Sequence, residues 1–448
     1  MQLKGLENVK NIYFIGIGGI SMSALAKLLS ECNYSVSGSD AARSEETENL
    51  AFYGIKTFVG ENASRAELLN ADVVVYTDAI PLINKELLAS KAYKKRVLSR
   101  AELLSIICNN FTNVIAVAGS HGKTTCTSMC AHVLKRCGVP FTAHIGGQDS
   151  LFGNFYSSGW EYFITEACEY KKNLLKIPAQ TAILLNVDKD HMECYNSENE
   201  LFDSFRRYCL SARTAFVCAD DKRCQELGEF ATFGINNSLA DYRAIDLRGN
   251  GERYAFTVEE YGRALCRIRL KAIGYCNVYN ALAAFAVMRS FGFDEKEIAR
   301  GLEDFVAVKR RFEKIGCYHG ASIICDYAHH PREIASTLAT AKKICKGELY
   351  VIFQPHTYSR TKLLMKDFMG VLHPIKELVL YKTYPAREEY DQTASAQALA
   401  EALACTYVES IYELKTYLKQ RAREEDVVLF LGAGDIYYLA QELLRKHN

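Results

Sequence analysis

Asn113-Val-Ile-Ala-Val-Ala-Gly-Ser-His-Gly-Lys-Thr-Thr125 is the stretch on which the fold turns. Asn113 to Ala118 predicts a buried strand, Gly119-Ser120-His121-Gly122 a glycine loop, and Lys123 to Cys137 a helix. A phosphate chain needs close backbone N–H groups, a helix N-terminus, an ammonium and a hydroxyl able to hold Mg²⁺. Gly119, Gly122, Lys123 and Thr124 supply these, and Ser120, His121 and Thr125 complete the loop and the helix start. The usual phosphate-loop pattern carries its first glycine where Val117 stands, so the match is to Gly-Lys-Thr with a displaced first glycine. An ordinary strand-to-helix turn is the competing reading. The strand before the loop and the helix after it favour the nucleotide.

Two acidic clusters lie downstream. Glu166-Ala-Cys-Glu169 follows the predicted strand Tyr162 to Thr165, and Asn186-Val-Asp-Lys-Asp190-His191 follows Thr181 to Leu185. In a parallel sheet both emerge at the carboxyl edge that carries the glycine loop. Mg²⁺ takes oxygen ligands, and one imidazole nitrogen can complete the shell, which makes Glu166 and His191 the first choices beside Thr124. Glu169, Asp188 and Asp190, taken singly, read as loop caps.

On the N-terminal side, Lys10 to Ile15 predicts a strand that runs into Gly16-Ile-Gly18-Gly19-Ile-Ser21-Met22 and a helix to Cys32. This imitates a dinucleotide fingerprint, but Ser21 stands at its third glycine, which disfavours a nicotinamide oxidoreductase. A glycine turn before a helix suits any pyrophosphate, that of a UDP-sugar included. Asp40, at the end of the next strand, is placed to meet a ribose or base, or to cap the loop. Strand Asp72 to Tyr76 and helix Lys85 to Tyr93 complete a small doubly wound domain over residues 1–110. The central domain spans 111–307, and short alternating runs between 228 and 272 predict antiparallel strands added to it. A third alternating block occupies 308–448, with strands at Ser322 to Cys325, Leu349 to Phe353, Glu377 to Tyr381 and Val427 to Leu431. Arg310-Arg311-Phe-Glu313 opens it, Asp326-Tyr-Ala-His329-His330-Pro331 ends its first strand, and Gln354-Pro-His356-Thr-Tyr-Ser-Arg360-Thr361 its second. Arginines and histidines gathered at adjacent strand ends suit a carboxylate or a transferring phosphoryl group. Gly432-Ala-Gly434-Asp435 reads equally well as simple turn chemistry.

Composition narrows the function classes. Lys and Arg total 54 against 53 Asp and Glu, which argues against a duplex-coating nucleic-acid binder and requires any anionic ligand to be held locally. The start MQLKGLENVKN lacks the apolar core of a signal peptide, and no run approaches the length of a bilayer span, so a cytoplasmic protein with no integral membrane segment is expected. Sixteen cysteines are scattered without a Cys-x-x-Cys pair and read as reduced thiols.

Taken in order, GIGGISM, GSHGKTT, EACEY, NVDKDHMECY, NVYNALAA, VKRRFEK, DYAHHPREI, FQPHTYSRT and GAGDI resemble the Mur ligases of peptidoglycan synthesis over nearly the whole chain. The resemblance implies an α/β protein of three domains: a Rossmann-like UDP-binding domain, a central P-loop ATPase-type domain and a Rossmann-like C-terminal domain that contributes to the amino-acid site. It implies ATP- and Mg²⁺-dependent ligation of L-alanine to the lactyl carboxylate of UDP-N-acetylmuramate through an acyl phosphate, by a monomer or homodimer. By the same resemblance Gly16, Gly18, Gly19 and Ser21 would hold the UDP pyrophosphate, Lys123 the ATP phosphates, and Asn280 with nearby Asn277 the adenine. Arg311, His329 and Arg360 would stand near the phosphoryl group and the amino acid. Cys168, Cys276 and Thr357 depart from the aspartate, histidine and arginine of many relatives, and no lysine lies between His191 and Ser211 to be carbamylated. A ligase that attaches a recycled peptide, and a nucleotide-binding regulator without catalysis, remain as alternatives.

Overall fold

Parallel strands covered on both faces must be apolar along most of their length, and the central strands of the three sheets of this α/β chain are built that way. The computed structural model describes residues 2–60 and 65–445. Its first sheet holds β1 (Asn11–Ile15), β2 (Ser35–Asp40), β3 (Lys56–Val59), β4 (Val73–Tyr76) and β5 (Arg96–Ser99) in the order β3-β2-β1-β4-β5, every pair parallel. Tyr13, Ile15, Val74 and Leu87 pack one face. The order reverses beside β1, so the glycines after it and the helix Ile20–Glu31 stand at a topological switch point, where such sheets bind ligands.

The second sheet contains β6 (Asn113–Ala118), β7 (Phe141–Asp149), β8 (Gly153–Ser157), β9 (Tyr162–Glu166), β10 (Thr181–Leu184), β11 (Thr214–Cys218), β12 (Ala231–Gly234), β13 (Tyr242–Gly249), β14 (Tyr254–Glu260) and β15 (Arg263–Arg269). Their order is β15-β14-β13-β12-β11-β10-β6-β9-β7-β8. β6 is paired in parallel with both β10 and β9, so the loops after all three strands open on one edge. One expectation is corrected here. Not all strands between 228 and 272 are antiparallel, since β12 runs parallel to both β11 and β13. The chain can re-enter in the same direction because Asp220 accepts the backbone N–H groups of Ile235, Asn236 and Asn237 and so shapes the intervening loop. β13, β14 and β15 are joined by residues 250–253 and 261–262, connections too short for anything but an antiparallel meander. The β7–β8 hairpin, antiparallel with a register shift between His144 and Asp149, was not legible beforehand.

The third sheet orders β16 (Glu313–Tyr318), β17 (Ala321–Asp326), β18 (Leu349–Phe353), β19 (Glu377–Tyr381), β20 (Thr406–Val408) and β21 (Val427–Leu431) as β16-β17-β21-β18-β19-β20. Only β16 runs antiparallel, to β17. Apolar clusters cover both faces, one around Ile323, Ile352 and Phe430 and the other around Val351, Phe353 and Leu429. Contacts divide the chain into two compact units. Met1–Asp246, Phe256–Ile268 and Tyr279–Phe305 form one, and Leu247–Ala255, Arg269–Val278 and Val306–Asn448 the other. All sixteen cysteines are free thiols, as expected. Among the described residues no helix is long and apolar enough to cross a membrane.

Candidate active site

β6 delivers its chain into a turn that only glycine tolerates at the critical point. Gly122 has φ +85°, and a Cβ there would lie 2.7 Å from Asn280 Oδ1. The loop is stitched to the segment after β10. Ser120 N–H donates to Asn186 O (3.2 Å), His121 N–H donates to Asn186 Oδ1 (2.9 Å), and Asp188 N–H donates to Ser120 Oγ (2.8 Å). His121 Nε2 lies 3.1 Å from Asp188 Oδ2. Thr124 and Thr125 are buried in the first turn of the helix Lys123–Arg136.

Lys123 is the electrostatic centre of the loop. Its ammonium donates to Gly119 O at 2.5 Å and to Ser120 O at 3.2 Å, and both oxygens of Glu169 stand 3.0 Å away. Burial alone would weaken the ammonium, but the Glu169 carboxylate outweighs it and holds the Lys123 pKa above the ordinary lysine value. Glu169 itself is fully buried, and Tyr195 OH donates to its carbonyl at 2.5 Å. Read from sequence as a loop cap, it is instead the partner of the loop lysine. Cys168, beside this pair, keeps its proton: burial first, and then the Glu169 charge, push the thiol up to about 11.

Glu166 and His191, the two side chains expected to hold a cation beside Thr124, have different partners. Glu169, Asp190 and His191 bring ligand atoms within 4.8 Å of one another. His191 sits in the left-handed region with its ring edge-on to Tyr170, the centroids 5.2 Å apart. Glu166, at the end of β9, accepts the Gly146 N–H at 2.7 Å, and a Cβ on Gly146 would collide with it at 2.4 Å.

The N-terminal glycine loop is arranged differently. Gly16 and Ile17 donate their N–H groups to Ser39 O, at 2.8 and 2.9 Å, and Gly18 donates to Asp40 Oδ2 at 2.8 Å. Asp40 therefore caps the loop, the second of the two roles open to it. Gly19 is the N-cap of the helix Ile20–Glu31. Ser21 Oγ lies 2.8 Å from His144 Nε2 and accepts from Arg100 Nη1 at 3.3 Å. His144, on β7, belongs to no motif in the sequence that would mark it.

In the second unit, the expected residues gather around two rings. The Arg310 and Arg311 guanidinium groups lie 4.8 and 5.0 Å from the Tyr327 ring centroid. His329 stands edge-on to Tyr327 and 5.7 Å from the His356 ring. Arg360 Nη1 is 3.1 Å from His356 Nδ1 and also donates to His356 O. His356 thus joins His329 to Arg360, and it stacks on Tyr384. Thr357 takes φ +67° and accepts from Arg360 N–H, fixing the start of the short helix Tyr358–Leu363. Asp326 is half-buried, and its desolvation raises its pKa against the pull of Arg311. Gly434 packs against Gln354 and Tyr384 too closely for any Cβ, so the Gly432–Asp435 segment is a close-packed turn. Asn277 donates its side-chain amide to Ile273 O, 2.8 Å away, and belongs to this unit, whereas Asn280 belongs to the first.

Known proteins match this chain over nearly its whole length. Residues 11–112 match the model of the Mur ligase family catalytic domain, 117–288 the Mur ligase middle domain, and 310–434 the Mur ligase glutamate ligase domain. UDP-N-acetylmuramate--L-alanine ligases of Clostridium beijerinckii and Clostridium perfringens are each 38% identical, over 97% of this chain and 98% of theirs. The crystal structure of the UDP-N-acetylmuramate-alanine ligase of Thermotoga maritima superposes with a TM-score of 0.84 at 29% identity, covering 97% of this chain and 98% of that one. A murein peptide ligase from Psychrobacter arcticus shares the fold, with a TM-score of 0.76 at 22% identity, 97% of this chain and 98% of that one being covered. The two glycine loops and the arginine–histidine cluster fall in three successive matched regions, and with relatives this similar over their full length the chain belongs to the Mur ligase family.

Proposed function

We propose that the chain is an ATP-dependent ligase that joins L-alanine to the lactyl carboxylate of UDP-N-acetylmuramate, in peptidoglycan precursor synthesis. The observation that carries this reading is the Lys123 ammonium, held charged in a phosphate-type loop by a buried glutamate, in a chain alike from end to end to alanine ligases. Domains at 1–110, 111–307 and 308–448 would bind the UDP-sugar, ATP and the amino acid. The reaction is cytoplasmic in this reading, since its substrates are soluble nucleotides.

A carboxylate is a poor electrophile, because its charge repels a nucleophile and oxide is a poor leaving group. Transfer of the γ-phosphoryl group of ATP to one carboxylate oxygen removes that obstacle. The alanine amine then attacks the carbonyl carbon, and the tetrahedral intermediate releases phosphate. Lys123 and the N–H groups of residues 119–124 would hold the β and γ phosphates, with Asn280 and Asn277 toward the adenine. Gly16, Gly18, Gly19 and Ser21 would hold the UDP pyrophosphate, with Asp40 fixing the loop. Arg311, His329 and Arg360 would meet the phosphoryl oxygens and the alanine carboxylate.

Hard oxygen donors with one imidazole are a set that suits Mg²⁺. Thr124, Glu166 and His191 would hold it, and the Glu169–Asp190–His191 cluster supports a cation at this edge. When bound, Mg²⁺ would neutralise charge on the phosphoryl group in transit. The residues do the rest: Glu169 keeps Lys123 charged and aimed at the loop, and Gly146 N–H fixes Glu166.

Phosphate release with alanine and with a murein tripeptide, at equal concentration and with UDP-N-acetylmuramate and ATP present, tests the assignment. Preference for alanine is expected. Preference for the tripeptide would transfer the chain to the peptide-recycling activity, and no release with either would leave a nucleotide-binding protein without ligase chemistry.

A further inference from the structure

We infer that His144 is a positioning residue of the UDP-sugar loop, orienting the Ser21 hydroxyl from the strand beside the one that ends in Glu166. The inference rests on the ligase reading, in which Ser21 meets the UDP pyrophosphate.

The geometry follows from register. β7 pairs in parallel with β9, His144 opposite Thr165, which places both side chains on one face. His144 Nδ1 lies 2.8 Å from Thr165 Oγ1, and Nε2 lies 2.8 Å from Ser21 Oγ. The ring is 3% exposed and Thr165 is fully buried. A neutral imidazole offers one donor and one acceptor on separate ring edges, so it can serve two hydroxyls without burying a charge. Burial, with the Arg100 charge adding to it, pushes the His144 pKa down to about 3, so the ring is neutral at any physiological pH.

Packing alone does not call for histidine at this position. The helix Ile20–Glu31 has its own anchor: Asn154 Nδ2 donates to Ile20 O and to Ser23 Oγ, each at 2.8 Å, and Lys27 Nζ donates to Asn154 Oδ1 at 2.7 Å. An aliphatic side chain on β7 would fill the same space and leave the Ser21 hydroxyl to turn freely. What His144 adds is direction at the start of the helix, where Arg100 donates to the same oxygen.

Steady-state kinetics of His144→Phe, His144→Gln and His144→Asn test this, each variant checked by thermal unfolding. Gln places its amide near the position of Nε2, and Asn near that of Nδ1. His144→Phe should raise the KM for UDP-N-acetylmuramate about tenfold, the loss of roughly one hydrogen bond, and leave the KM for ATP unchanged. His144→Gln should restore most of the affinity, and His144→Asn should resemble Phe. In a Ser21→Ala background, His144→Phe should have no further effect. A folded His144→Phe with the wild-type KM for the UDP-sugar, or an undiminished effect without the Ser21 hydroxyl, would overturn the inference. Should the Phe variant not fold, the Gln and Asn pair decides: equal KM values for the two refute it. If the wild-type protein itself shows no UDP-N-acetylmuramate-dependent ADP release, it is the ligase reading that fails, and this inference falls with it.

Discussion

The loops after β6 and β1 use one backbone device, a glycine turn feeding a helix N-terminus, and differ in what the side chains add. After β6, an ammonium lies inside the loop and a buried carboxylate holds it there. After β1 there is no lysine, and a carboxylate takes up one of the loop's N–H groups. In the ligase reading each of these backbone turns would receive a phosphate. In that reading the side chains separate a site that would stabilise charge in motion from one that would only hold a ligand still.

The comparison breaks most visibly at Lys123. Lys123→Ala should lower kcat by about 10²- to 10³-fold while calorimetry shows UDP-N-acetylmuramate binding intact. Loss of both properties together would erase the distinction between the loops. Glu169→Gln tests the support behind the lysine. Removing one charge of a buried pair typically costs about 3–5 kcal/mol, and a retained hydrogen bond should reduce this, so a lower unfolding temperature and a roughly tenfold fall in kcat are expected. Unchanged melting would mean that Glu169 does not hold the lysine.

A smaller effect is expected at His144. The folded protein keeps its pKa near 3, while the unfolded chain binds a proton near pH 6.5. The stability this group contributes is complete above pH 6.5 and is lost as pH falls toward 3, by up to about 1.4 kcal/mol per pH unit. Denaturant titrations between pH 7 and 5 should show His144→Phe with a flatter slope than the wild type; equal slopes would contradict a neutral buried ring. Least affected should be Asp40→Ala, with a rise of about two- to fivefold in the KM for the UDP-sugar, because one N–H loses its partner and water can replace it.

Much of this comparison was legible before the structure. The limits of the strands at 113–118, 377–381 and 427–431 are legible in the sequence, since buried parallel strands are apolar without interruption. The half-buried β16 and the bulged β7–β8 hairpin are not legible there, because polar residues and glycines interrupt them. The parallel entry of β12 depends on Asp220 gathering three N–H groups, which no local pattern announces. Within the site, the loop residues carry their chemistry in their own spacing. Glu169 and His144 act through contacts with residues 46 and 123 positions away in sequence, so neither could be read from its neighbours.

The central claim is that a carboxylate is phosphorylated at the Gly119–Thr125 loop. UDP-N-acetylmuramate carrying oxygen-18 in its lactyl carboxylate, incubated with ATP, L-alanine and the protein, tests it directly by mass analysis of the released phosphate. Transfer of one labelled oxygen to phosphate, with an alanyl UDP-sugar formed in equal amount, is the predicted result. Unlabelled phosphate, or phosphate formed without that product, would contradict it.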